Sequence, residues 1–535
     1  MCPFMMPEKG TSMAVKIIVL VIFVVVTAGI GFYCRKKIKS VNDFVLGGRN
    51  VGPWLTAFAY GTSYFSAVVF VGYAGQFGWN FGISATWIGI GNAVIGSLLA
   101  WVVLGRRTRV MTKHFEAATM PEFFEKRYLS KSMKIVSSII IFVFLVPYTA
   151  SIYKGLSGLF AMAFDIDFTW CIIGMAVLTG IYVIAGGYMA TAINDFIQGI
   201  IMLVGIVAVV LAVLNVHGGF TESINQLSQI VPEGGSEMAG PFTSFFGPDP
   251  ISLFVVVILT SLGTWGLPQM IHKFYTVKNE KTVKTGTIIS TVFALVIAGG
   301  SYFMGGFGRL FVEGDKPAAG FDSVVPTMLQ SLPDLLIAVV IILVLSASMS
   351  TLSSLVITSS STFTIDFLKG LFFKKMSGKR QMLIIRLLCA AFILISVLIA
   401  LNPNSMISSL MSISWGALAG AFLGPFLYGL FWKGTTKAGV WAGFISGVAI
   451  TVTGLILQTA GIVLPAPFSL LNSPLNVGAV AIVFSLVIVP LVSVLSPKMP
   501  KDHLEASFAC YDETIPAHHK YVLNEVEEEY INGND

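Results

Sequence analysis

The chain has 535 residues, 55% of them from the A, V, I, L, M, F, W, Y and C class and 11% charged, with a net charge of +6. A soluble surface needs about a quarter of its residues charged, so a string of soluble domains is excluded and the chain reads as a polytopic membrane protein. The charges lie in loops without a continuous basic face, so nucleic acid as a partner has no support. Cys2, Cys34, Cys171, Cys389 and Cys510 are scattered and show no CxxC pairing, against a disulfide framework or a zinc site.

The first apolar run, residues 15–33, exceeds a signal-peptide core and ends in Arg35-Lys36-Lys37, so it is expected to remain as a helix. A span takes roughly 17–25 mostly apolar residues. On that measure the pattern predicts an all-α fold of thirteen transmembrane helices, at about 13–34, 53–76, 82–104, 133–162, 168–187, 190–215, 250–272, 285–310, 333–358, 381–401, 405–431, 438–459 and 474–496. One side collects Arg35, Lys36, Lys37, Lys39 and Arg49, then eight cations from Arg106 to Lys134. It continues with Lys273, Lys278, Lys281 and Lys284, with Lys369, Lys374, Lys375, Lys379 and Arg380, and with Lys433 and Lys437. The other side holds Lys9, Lys16, Arg309 and Lys316, and its long loop 216–249 has no Lys or Arg. Cations mark the cytoplasmic side, so the N-terminus is expected outside and the C-terminus inside. Residues 497–535 are expected to form a polar cytoplasmic tail with a short helix.

Polar residues at membrane depth carry the functional information. In the second helix, Gly61-Thr62-Ser63-Tyr64-Phe65-Ser66 precedes Gly72 and Gly75, so the helix unwinds easily. Its hydroxyls either bond back to their own helix or accompany an unwound stretch whose carbonyls coordinate a cation. Lys154, in the outer half of the fourth helix, is either a charge in a substrate or ion path or a lysine snorkelling outward. Asp195 begins the sixth helix, as an inner gate or as a helix cap. The seventh helix ends in Trp265-Gly266-Leu267-Pro268-Gln269, a second break five helices after the first, as in an inverted repeat. The ninth carries Ser346, Ser348, Ser350, Thr351, Ser353 and Ser354, then Thr358 to Thr362. Such neutral oxygens suit a monovalent cation that must be released, though polar packing between helices would also explain them. Asp366 is expected to be solvated at a helix end. No GxxxxGK[ST], HExxH or GxSxG motif is present, so an enzyme is not expected.

Several segments, taken together and in order from about residue 40 to 435, resemble the sodium:solute symporter family. They are Asp43-Phe44-Val45-Leu46-Gly47-Gly48-Arg49 with Val51-Gly52-Pro53-Trp54, Ala185-Gly186-Gly187, Asn194-Asp195-Phe196-Ile197-Gln198, Gly266-Leu267-Pro268, Met349-Ser350-Thr351-Leu352-Ser353 and Trp415-Gly416-Ala417. The sodium/proline and sodium/pantothenate branches are the most similar. The resemblance implies the five-plus-five inverted-repeat fold of the bacterial leucine transporter, with repeats at about 53–215 and 250–431 inside a transporter unit of 35–496. Residues 1–34 would be a peripheral helix. It implies a sodium site from the backbone carbonyls of Thr62, Phe65 and Ala347 and the hydroxyls of Ser350 and Thr351. The solute would lie beside it, near Thr62, Tyr64, Ser66, Tyr148, Thr260, Thr264 and Pro268, and Asp195 would line the sodium exit. The proline branch has aspartate where this chain has Tyr64, and aromatics where it has Thr260 and Thr264, which counts against proline itself.

The function so implied is sodium-coupled import of a small carboxylate-bearing solute (an amino acid such as proline, pantothenate or another monocarboxylate) across the plasma membrane, with sodium as co-transported ion. A proton-coupled transporter with Lys154 as titrating group is the alternative. Apart from the solute, sodium and the bilayer, no obligate partner is evident.

Overall fold

Long runs of Leu, Val, Ile, Phe and Ala that must satisfy their own backbone hydrogen bonds within lipid can do so only as helices or closed barrels, and here they form helices. The computed structural model describes residues 9–36, 38–231, 240–314, 317–373, 375–402 and 406–511. Among these residues the only strand-like pairing is an isolated bridge between Val51 and Val277. Among the described residues ten helices are long and apolar enough to cross a membrane, or eleven when a bent pair is taken as one span.

The helices used below are α1 (Lys9–Arg35), α2 (Pro53–Tyr64), α3 (Val68–Tyr73 continuing as Ala74–Phe81), α4 (residues 86–114), α5 (Met120–Tyr128) and α6 (Lys131–Phe164). They continue with α7 (Phe168–Val216), α8 (Pro250–Leu262), α9 (Pro268–Tyr275), α10 (Glu280–Gly305) and α11 (Asp334–Thr362, prolonged by Phe363–Phe372). The last are α12 (Gly378–Ala400), α13 (Ile407–Phe431), α14 (Lys437–Thr459), α15 (Pro474–Leu495) and α16 (Lys501–Ala509). Starts are set by side-chain caps that use up free amides: Ser130 accepts from Met133 N, Asn279 from Thr282 N, and Thr436 from Gly439 N.

Breaks organise the bundle. Phe65, between α2 and α3, is extended at φ −111°, ψ 116°, and Leu267, between α8 and α9, at φ −77°, ψ 121°. The second break bends its pair by 42°. Gly187 interrupts α7 at φ 56°, ψ −164°, a conformation open only to glycine. α11 and α13 are the most enclosed spans, with 83% of their apolar window buried, against 17% for α1. α1 is tied to the start of α11 by Lys16, buried and 2.9 Å from Asp334.

Two expectations are corrected. Asp366 is fully buried because α11 continues past residue 358 and its end is covered by α5 and α6, whose Lys134 lies 3.6 Å away. Lys273 is not a loop cation but a buried residue of α9. The short tail helix is α16; the tail beyond Tyr511, together with Lys37, Lys316 and Lys374 of the loop-charge count, lies outside the described residues.

Candidate cation and solute site

The hydroxyl-rich face of α11 packs against the C-terminal end of α2, where the helix stops. Ser350 Oγ donates to Thr62 O at 2.8 Å, with Ala347 O at 3.2 Å. Thr351 Oγ1 lies 3.2 Å from Thr62 O, 3.1 Å from Ala347 O and 3.4 Å from Ser63 O. Two hydroxyls and three carbonyls, from segments 288 residues apart, thus meet in one fully buried cluster. Phe65, also buried, sits at the break itself. Four of the five expected cation ligands are in mutual contact, and the fifth adjoins them in the chain. The donor set is neutral oxygen throughout, which fits a small hard cation that must be taken up and let go. Ser353, one turn on, spends its hydroxyl on Ser350 O at 2.8 Å.

Tyr64 leads away from this cluster. Its ring stacks on Phe65 with centroids 4.3 Å apart and lies 6.3 Å from Trp415, which meets Tyr148 edge-on at 6.0 Å. The Tyr64 hydroxyl donates to Thr260 O at 2.6 Å. Thr260 Oγ1 bonds back to Val256 O at 2.8 Å, Thr264 Oγ1 to Ser261 O at 2.9 Å, and Thr62 Oγ1 to Phe58 O at 2.7 Å. Pro268 opens α9 and is buried. Tyr64, Thr260 and Tyr148 are therefore joined through Tyr64 and Trp415, and all three candidate threonine hydroxyls are committed to backbone. Ser66 acts as a cap: its Oγ accepts from Val68 N at 3.2 Å.

From this oxygen cluster runs a polar chain. Ser63 Oγ is 2.8 Å from Ser354 Oγ, which accepts from Lys273 Nζ at 2.9 Å, and Lys273 pairs with Asp195 at 3.8 Å. Both charges are buried, at 1% and 0% side-chain exposure. Lys273 also lies 5.2 Å over the Tyr188 ring. Asp195 sits inside α7, eight residues past the Gly187 interruption, so it caps no helix. The sequence reading named Ser63 and Ser354 only within hydroxyl runs and Lys273 only as a loop cation, and did not join them; the available signal was an amphipathic turn after Pro268 that carries the lysine inward.

Lys154 is remote from this chain. Its Nζ donates to Asn402 O at 2.9 Å. Nearby, the Asp322 carboxylate accepts from Ile407 N at 3.1 Å, and burial holds that carboxyl above the usual carboxylate range.

The profile of the sodium:solute symporter family matches residues 44–447. The osmoregulated proline transporter OpuE of Bacillus subtilis is 30% identical over 456 residues, 84% of this chain and 90% of that protein. A sodium/proline symporter of Staphylococcus aureus is 31% identical over 448 residues, 81% of this chain and 85% of its own length. Among solved structures, a Na+-coupled sialic acid symporter in a substrate-bound outward-open state shares the fold, with a TM-score of 0.69 at 17% identity over 90% of this chain and 98% of that one.

Proposed function

The chain belongs to the sodium:solute symporter family, a multi-pass protein of the plasma membrane with sodium as its co-transported ion, and from that premise we propose that it imports a small carboxylate-bearing solute by alternating access. Proline is the first solute to test, since relatives of about 30% identity are named for it, although Tyr64, Thr260 and Thr264 depart from the proline branch and leave other carboxylates in the panel. The observation that carries the reading is the meeting of Ser350 and Thr351 with the Thr62 carbonyl at the end of a broken helix. We assign sodium to Thr62, Phe65, Ala347, Ser350 and Thr351. There it would hold α2 to α11 and pre-shape the solute pocket formed around Tyr64, Ser66, Tyr148, Thr260, Thr264 and Pro268. Coupling is then the difference in affinity between outward and inward forms, with no chemical step.

We read thirteen spans by dividing two of the eleven apolar stretches. At about 1.5 Å per residue, the 49 residues of α7 would run more than twice the roughly 30 Å of hydrocarbon, so α7 is divided at Gly187. The 47-residue run 68–114 is divided likewise at Gly82, with φ 62° and ψ −143°. The breaks at Phe65 and Leu267 open the repeats 53–215 and 250–431, and loop charge supports N-out, C-in. Asp195 would lie on the inner exit, reached from the cation cluster through Ser63, Ser354 and Lys273.

The test is uptake in proteoliposomes over proline, pantothenate, lactate and other small solutes. Accumulation that requires an inward sodium gradient supports the reading, and equal accumulation in potassium alone sinks it.

A further inference from the structure

The amides that follow the α2 break stand at the positive end of a half-helix and would suit an anion, yet they are occupied within the chain. Ala67 N donates to Ser348 Oγ at 3.2 Å, Val68 N to Ser66 Oγ at 3.2 Å, and Val69 N and Phe70 N to Ser66 O at 3.0 and 3.1 Å. With the threonines also bonded to backbone, the donors for a solute must come from elsewhere.

Four buried polar atoms have no hydrogen-bond partner among the described residues and belong to one wall: Tyr73 OH on α3, Asn92 Nδ2 on α4, Tyr302 OH on α10 and Trp415 Nε1 on α13. Tyr302 faces Asn92. Tyr73 packs at 4.8 Å on Phe77, whose ring stacks 6.5 Å from Tyr302. Trp415 joins the wall to Tyr64 and Tyr148. Asn92 Oδ1 is taken by Ser261 Oγ at 3.1 Å, so its amino group is the one left over. The indole and amide nitrogens can only donate, and both phenols are able to. Unpaired buried donors are costly, and four in one wall call for an acceptor. A carboxylate accepts only, with about four lone-pair sites.

We infer that Tyr73, Asn92, Tyr302 and Trp415 recognise the solute, and that the group they hold is its carboxylate. The ring faces of Tyr64, Tyr148 and Trp415 border the rest of the solute. None of the four is charged, so the co-transported cation supplies the opposite charge. This inference rests on the symport proposed above.

The experiment uses Tyr73→Phe, Asn92→Ala, Tyr302→Phe and Trp415→Phe in proteoliposomes, with the member of the proline, pantothenate and lactate set that the wild type accumulates. Each variant should raise the solute KM about tenfold or more, while the sodium half-saturation at saturating solute stays within about twofold, because saturating one ligand suppresses the linkage. Tyr153→Phe deletes a buried unpaired hydroxyl of α6 outside this wall and should change neither. The methyl ester of the solute should not compete. Should one variant fail to insert, the other three carry the test. Unchanged KM in the inserted variants, equal competition by the ester, or accumulation only of solutes lacking a carboxylate would overturn the inference while symport stands. If the wild type accumulates nothing in a sodium-dependent way, the symport reading itself fails.

Discussion

Deleting the Ser350 hydroxyl removes a group 2.8 Å from Thr62 O and leaves α11 otherwise intact, since alanine keeps the helix and adds no bulk. In a site of five oxygens the ion loses one ligand, and so does Thr351→Ala, whose hydroxyl touches the carbonyls of Thr62 and Ala347. A hydrogen-bond-strength contact to a charged partner is worth about 1.5–3 kcal/mol, or roughly a ten- to hundredfold loss of apparent sodium affinity. Solute affinity should weaken only where sodium is subsaturating, because binding linkage is reciprocal. The assay is initial uptake in proteoliposomes against sodium concentration at fixed solute. Thr351→Ser should recover most of the loss, and Ser353→Ala should do little, since that hydroxyl points back to Ser350 O. If both alanine variants keep the wild-type sodium half-saturation while still transporting, the site is wrong.

Three further outcomes are expected. Lys273→Met leaves Asp195 buried without its partner and should cost about 3–5 kcal/mol of stability; the double variant with Asp195→Asn should melt in detergent nearer the wild type, and additive losses would refute the pairing. Asp322, held above the usual carboxylate range by burial, stabilises the fold most when protonated. That contribution is complete below the unfolded value of about 4 and is lost as pH rises through the folded one, so Asp322→Asn should flatten the melting profile on the acid side, and an unchanged profile would contradict it. Phe245→Cys, on an exposed position of the cation-free loop, should label from outside intact cells, and labelling only after permeabilisation would reverse the topology.

The buried oxygen cluster at Ser350 and Thr351 was legible because it is built from runs, Gly61 to Ser66 and Ser346 to Ser354, whose polar density is conspicuous in apolar surroundings. What lay hidden depended on where helices end. The seventh predicted segment stopped at residue 272, one short of Lys273, whereas α9 restarts at Pro268 and carries that lysine inward to Asp195. The ninth stopped at 358, so Asp366 looked solvated; α11 runs on to Phe372 and buries it. The cap from Ser348 was equally unreadable, since that residue reaches Ala67 N only through tertiary packing. Tyr73, Asn92 and Tyr302 belong to no motif, and only the bundle brings them together.

The most direct test of sodium-coupled symport runs the coupling backwards. Proteoliposomes with equal sodium on both sides receive an inward gradient of the transported solute, and entry of radioactive sodium is followed together with lumenal pH. Solute should drive sodium inward above its equilibrium level in the wild type but not in the Ser350→Ala, Thr351→Ala double variant, with no acidification. Solute entry that moves no sodium, or that acidifies the lumen in sodium-free buffer, would contradict the account and point to proton coupling.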